Sequence, residues 1–233
     1  MSKRVIALGF TAVAALGLAA CSPSSPTNGA STPVVTVTVA PGPQPGDQVL
    51  PSDIASRLSS APSATTYHMT MDMTTGSSGT TIDVTMDVDV DATDASTPKL
   101  SGTMSMMGIT MKVVEVGSQM WADMGTGWQV LPSSDSDIPQ TNFDANYFTQ
   151  AMGGAAGTYV GSEAKAGTTA DHYTFSGGET DQLIINSMDL WIDSQNHVVG
   201  FSFDGLDAAQ TADVTMDVTM TDYGESLSIT PPM

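Results

Sequence analysis

From Ile82 to Asp91 the chain alternates without a break. Ile82, Val84, Met86, Val88 and Val90 fall on one parity, and Asp83, Thr85, Asp87, Asp89 and Asp91 fall on the other. A period of two sends successive side chains to opposite faces, so this segment is a strand with one apolar face and one hydrated acidic face. The pattern precedes itself in Tyr67, Met69, Met71 and Met73, set against His68, Thr70, Asp72 and Thr74. Gly76-Ser77-Ser78-Gly79 lies between the two runs and makes them a hairpin. The alternation returns at Leu100–Met106, Ile109–Val116, Met120–Met124 and Trp128–Leu131, then at 158–164 and 171–177. It closes with Met188, Leu190 and Ile192, with Val199, Phe201 and Phe203, and with the long run Ala212–Asp222. The spacing predicts about ten consecutive antiparallel strands. Only two short helices interrupt them. One is capped by Ser52, carries Ile54, Leu58 and Ala61, and ends at Pro62. The other is capped by Asn142, carries Phe143, Tyr147, Phe148, Ala151 and Met152, and stops at Gly153-Gly154. Gly178 to Ser187 shows no clear period. The fold class is α+β, mainly β.

The N-terminus follows a different rule. Lys3 and Arg4 precede an apolar run from Val5 to Leu18 that is too short to span a bilayer, and Leu18-Ala19-Ala20-Cys21 ends it with small residues before the single cysteine. This resembles the lipobox of bacterial lipoprotein signals. The resemblance implies cleavage between Ala20 and Cys21, a diacylglycerol thioether on the Cys21 sulfur, and a di- or triacylated protein on the outer face of a cell membrane. Residues 21–50 are rich in Ser, Thr, Pro and Gly, a composition that buries too little apolar surface to offset ordering entropy. They read as a tether of roughly 30 Å r.m.s. reach. Residues 51–233 remain as one domain.

Charge excludes whole classes of partner. Loss of Lys3 and Arg4 leaves 25 acidic residues facing only Arg57, Lys99, Lys112 and Lys165, a net charge two units below the −19 of the whole chain. No nucleic acid binds such a surface, and an anionic bilayer repels it, so the domain stands off the membrane on its tether. A monomer is expected. No G-x-S-x-G or H-E-x-x-H motif is present, and the chain reads as a non-enzyme without a cofactor. His68, His172 and His197 are far apart and read as surface residues rather than a zinc triad. Asp83, Asp87, Asp89 and Asp91 share a flat strand face without the encircling geometry of a calcium loop.

The apolar parity is rich in methionine, a flexible and polarisable side chain suited to varied apolar shapes. With so little helix to cover the sheet, part of the face is free to line a cavity, although a closed core would show the same period. The hairpin Asp189-Leu190-Trp191-Ile192-Asp193-Ser194-Gln195-Asn196-His197-Val198-Val199-Gly200-Phe201 resembles a segment of actinobacterial LppX/LprG-type lipoproteins, relatives of the LolA and LolB carriers. Val116-Gly117-Ser118-Gln119-Met120-Trp121 followed by Gly127-Trp128 is similar to their central hairpin. The resemblance implies a curved antiparallel half-barrel with helices over its concave apolar face and a cavity for acyl chains of lipids, lipoglycans or lipoproteins. Together with the inward parity it makes Met69, Met71, Val84, Met86, Met104, Met120, Leu190, Ile192, Phe201, Met216 and Val218 the cavity candidates. Two other readings stay open. One is an envelope lipoprotein that binds a protein partner or acts structurally. The other is a copper site of Met69, Met71, Met73, Met104, Met106, Met107 and Met111 beside His68.

Overall fold

The alternating segments join into one antiparallel sheet in the computed structural model, which describes residues 42–62, 66–77, 79–94, 97–131, 143, 145–180 and 183–232. Its strands are β1 (Gln48–Val49), β2 (Thr66–Ser77), β3 (Thr80–Asp91), β4 (Lys99–Met106), β5 (Ile109–Val116) and β6 (Gln119–Asp123). They continue with β7 (Gln129–Leu131), β8 (Gly157–Lys165), β9 (Thr168–Glu179), β10 (Leu183–Asp193), β11 (Val198–Asp207) and β12 (Asp213–Thr221). The spatial order is β1-β8-β9-β10-β11-β12-β2-β3-β4-β5-β6-β7. Two meanders of consecutive strands, β8 to β12 and β2 to β7, are thus stitched together where β12 pairs with β2, and β1 adds on beside β8. The sheet is curved and open, with β1 and β7 as its edges.

Register converts the sequence parity into faces. Phe201, Val218, Met71, Met86, Met104 and Met111 are successive cross-strand partners, so one row of apolar side chains crosses β11, β12, β2, β3, β4 and β5. All six are buried. Each large apolar side chain so placed contributes roughly 1.5–3 kcal/mol relative to exposure. The adjacent outward row is Ser202, Asp217, Asp72, Thr85, Ser105 and Thr110.

Two helices lie on the apolar side, α1 (Pro51–Ser59) and α2 (Ala145–Ala151), and pack against each other. Ser52 is not the cap of α1. Leu50 occupies that position, Pro51 supplies the first helical residue without losing an amide bond, and the Asp53 carboxylate accepts from the Leu50 N–H at 3.4 Å. Ala61 lies past the helix end. The predicted Asn142 cap of α2 lies outside the described residues. Gly178 lets α2 down onto β9: a Cβ there would sit 1.7 Å from the Ala151 carbonyl oxygen.

The sequence without clear period, Gly178 to Ser187, is strand at both ends, with the Thr180 N–H bonded to the Leu183 carbonyl between them. A register shift between Ile185 and Ser187 explains the lost signal. It places Ile185 and Met188, three residues apart, both in the core. The folded unit also begins earlier than composition indicates, at Gly42. Gln48–Val49 pair with β8, and Gly46 and Asp47 exchange backbone hydrogen bonds with Tyr159, so the last residues assigned to the tether are held on the sheet edge.

Candidate functional site

The eleven cavity candidates are all buried, at 9% exposure or less. Ten of them belong to one apolar cluster that also takes in Ile54 of α1 and Phe148, Ala151 and Met152 of α2. Met120 stands apart from that cluster, toward the β7 edge and opposite Leu131. Aromatic rings cover one end of the face, Phe148 from α2 and Phe143 from outside it, since α2 begins at Ala145 and does not carry Phe143 as expected. Phe143 and Phe148 meet Phe201 edge-on at centroid distances of 4.6 and 5.2 Å. Phe201 therefore sits beneath protein at this point. Toward the β4–β5 hairpin the apolar parity outruns the cover: Val84, Met106 and Ile109 are cross-strand partners, yet Val84 is buried while Met106 and Ile109 are 41% and 56% exposed. Met107 in the turn and Met124 just beyond β6 extend this apolar margin, at 69% and 59%. The methionines considered for copper are divided accordingly, with Met69, Met71, Met104 and Met111 in the core and Met106 and Met107 at the exposed tip.

Helix α1 is fastened over the face by one side chain. The Arg57 guanidinium donates to Asp171 Oδ2 at 2.8 Å, to the Tyr173 hydroxyl at 2.5 Å, to Asn196 Oδ1 at 2.9 Å and to the Asp193 carbonyl at 2.8 Å. One cation thus ties the helix to β9, β10 and the β10–β11 turn. Burial works against the Asp171 carboxylate, but donors from Ser162, Arg57 and Tyr159 outweigh it and hold the group below the usual range.

The opposite face is polar and largely self-paired. His172 stacks on Trp191 at 4.5 Å and lies between Glu163 and Asp189, and the Trp191 indole N–H donates to Glu163. Lys165 crosses over the Trp191 ring to reach Asp217. His68 meets Asp87 and Asp89, Lys99 meets Asp91, and Thr74 donates to Asp83, so each of the four strand aspartates has a neighbour of this kind. A shallow groove of about 370 Å³ on this face is lined by the polar residues Asp72, Asp189, Asp204, Asp217, Ser187 and Ser202 and also touched by Phe203 and Met216. Of the cavity candidates only Met216 reaches it. His197, read as a surface residue, is buried instead: its ring stacks on Tyr223 at 4.4 Å, because the chain after β12 folds back over the β10–β11 turn.

Two residues of the apolar side were not singled out by the sequence reading. Arg57 was visible as one of four cations on a helix that faces the sheet. Glu115 continues the parity Ile109, Met111, Val113 and so falls on the inner face, between its cross-strand partners Leu100 and Met120. It is half-buried, burial pushes its carboxyl pKa up, and its carboxylate has no hydrogen bond or ion pair among the described residues.

No protein-family model and no curated protein matches the chain by sequence. Solved structures do match by shape. LprF from Mycobacterium bovis superposes with a TM-score of 0.54 at 13% identity, covering 81% of this chain and 99% of that one. The chain therefore shares the fold of LprF, as its resemblance to LppX/LprG-type lipoproteins implied. A LolA superfamily protein, NE2245 from Nitrosomonas europaea, matches at a TM-score of 0.31 and 8% identity over 74% of this chain and 93% of its own. Pseudomonas aeruginosa MucA/MucB matches at 0.39 and 16%, over 76% and 58%. These two lie too far in geometry to bear on function.

Proposed function

We propose that this protein binds or carries a lipid-like apolar molecule against the inner face of its sheet, tethered by an acylated Cys21 to the extracytoplasmic face of a cell membrane. Residues 1–20 are the signal peptide in this reading, and the residues that follow Cys21 are the tether. The protein acts by binding rather than by catalysis. The observation that carries the reading is the continuous apolar row from Phe201 to Met111, whose neighbour runs past the helical cover to exposed Met106 and Ile109. A sheet face wider than its lid, lined by a side chain that adapts its shape, suits an elongated apolar ligand. The shared fold with LprF is consistent with this use.

Fractionation of expressing cells tests the tether, and mass analysis of lipid extracted from the purified protein tests the ligand. Cys21→Ser is expected to leave an uncleaved precursor or to release the protein from the membrane fraction. An unchanged, mature, membrane-bound product contradicts the anchor. Absence of any stoichiometric lipid from protein made in a host with its own envelope lipids contradicts the carrier reading and favours a partner-binding lipoprotein.

A further inference from the structure

The charges on the inner face restrict what such a ligand can be. Beyond residue 4 the chain has only four lysines and arginines, and all four are described. Arg57, the one on the inner side, is fully engaged by Asp171, Tyr173, Asn196 and the Asp193 carbonyl. Lys99 and Lys112 alternate with inward Leu100, Met111 and Val113 and so point outward, Lys99 to Asp91. Lys165 is spread over Trp191 and Asp217 on the outer face. His68 and His172 are held by outer-face carboxylates, and His197 is stacked under Tyr223 beside Asp193. The apolar face therefore offers no free cation to neutralise a carboxylate or phosphate.

It does offer an acceptor. Acids at inner-parity positions are few. Asp171 is paired with Arg57, and Asp207 accepts from Thr211 and Ala212 at the end of β11. Glu115 has no such partner among the described residues and stands between Leu100 and Met120, at the opposite end of β5 from exposed Ile109. An unpaired carboxylate in apolar surroundings favours a group that donates a hydrogen bond to it and disfavours a second negative charge.

We infer that the face selects an amphiphile whose head carries no negative charge and donates a hydrogen bond, through a hydroxyl or amine, to Glu115, with its chain lying along β5 toward Ile109. This rests on the carrier reading and names the ligand class for it. The six-residue span from Ile109 to Glu115 is about 20 Å of strand, long enough for one acyl chain laid beside it. The protein's net charge of −19 acts in the same direction, since it repels anionic ligands before they reach the face.

Equilibrium binding of radiolabelled 1-palmitoylglycerol and palmitate to the delipidated full-length protein separates the possibilities, because the two share one acyl chain and differ in the charge of the head. The expected result is a preference of at least about tenfold for 1-palmitoylglycerol, since like charges in contact are strongly disfavoured. Glu115→Gln should narrow that preference to within about threefold by admitting palmitate, while Asp87→Asn, which removes one charge from the outer face, should leave it unchanged. Palmitate bound as tightly as 1-palmitoylglycerol by the unmodified protein, or an equal effect of Asp87→Asn, overturns the inference and leaves the carrier reading intact. Binding of neither probe overturns both.

Discussion

Single side chains set the pH range over which this fold holds. Asp171 keeps a lowered pKa in the folded chain, so its contribution is complete above the unfolded carboxylate value of about 4 and is lost as pH falls through the lower folded value. Burial pushes the Tyr67 and Tyr147 phenols up to about 12. Their contribution is present below the unfolded value of about 10 and is lost as pH rises from there toward 12. Denaturant titrations across pH should therefore show stability declining on the acid side of about pH 4 and again above about pH 10. Phenolate absorbance gives the sharper check. Of the five tyrosines, Tyr67 and Tyr147 should remain protonated in folded protein well past pH 10, and burial pushes Tyr173 and Tyr223 up in the same direction. Ionisation of all five together near pH 10 without unfolding would contradict the burial assigned to them.

Helix α1 depends on Arg57 more than on its own length, since nine residues are too few for a stable helix in isolation. Arg57→Ala removes the bonds to Asp171, Tyr173, Asn196 and the Ile192 and Asp193 carbonyls and leaves the Asp171 carboxylate without its cation. A loss of about 1.5–3 kcal/mol is expected, the range for hydrogen bonds to charged groups. Hydrogen exchange of the α1 amides should accelerate while β10 and β11 stay protected. Uniform acceleration across the sheet, or none in α1, would show that the helix is held by packing through Ile54 instead. The elements differ in how plainly the sequence announced them. Strands such as Ile82–Asp91 were legible because every residue obeys one parity. The β9–β10 junction was not, because the bulge at Ile185–Ser187 breaks the period of two just where it would have been counted. The start of α1 was misplaced by two residues because Ser52 is a good cap in isolation, whereas Pro51 fixes the first turn and moves the cap to Leu50. His197 was read as exposed because nothing local to it reveals Tyr223, which arrives from the far end of the chain.

At the scale of the whole molecule, parity identified the buried face, and all eleven cavity candidates lie on it. Parity does not reveal what covers that face: the Phe148 ring over Phe201 belongs to α2, whose docking depends on a close approach to Gly178, whereas the Phe143 ring beside it comes from outside that helix. Glu115 was legible in principle as the one acid in the inward series of β5, but a lone departure from an apolar period is visible as a site only once Leu100 and Met120 are known to flank it. The central claim is that the inner face holds an apolar molecule, and two adjacent residues on opposite faces of β3 test it. Met86 is buried in the apolar row, and Asp87 is exposed next to it on the polar side. Co-purifying lipid is to be counted per protein by native mass spectrometry for Met86→Trp and Asp87→Trp, with folding checked by denaturant titration. If the face holds a ligand, Met86→Trp takes its place: bound lipid falls several-fold at a stability cost below about 1 kcal/mol, whereas Asp87→Trp retains it. A closed core predicts the reverse signature, an overpacking cost of about 1–3 kcal/mol for Met86→Trp. That cost, with no lipid bound to either variant or to the unmodified protein, would contradict the account.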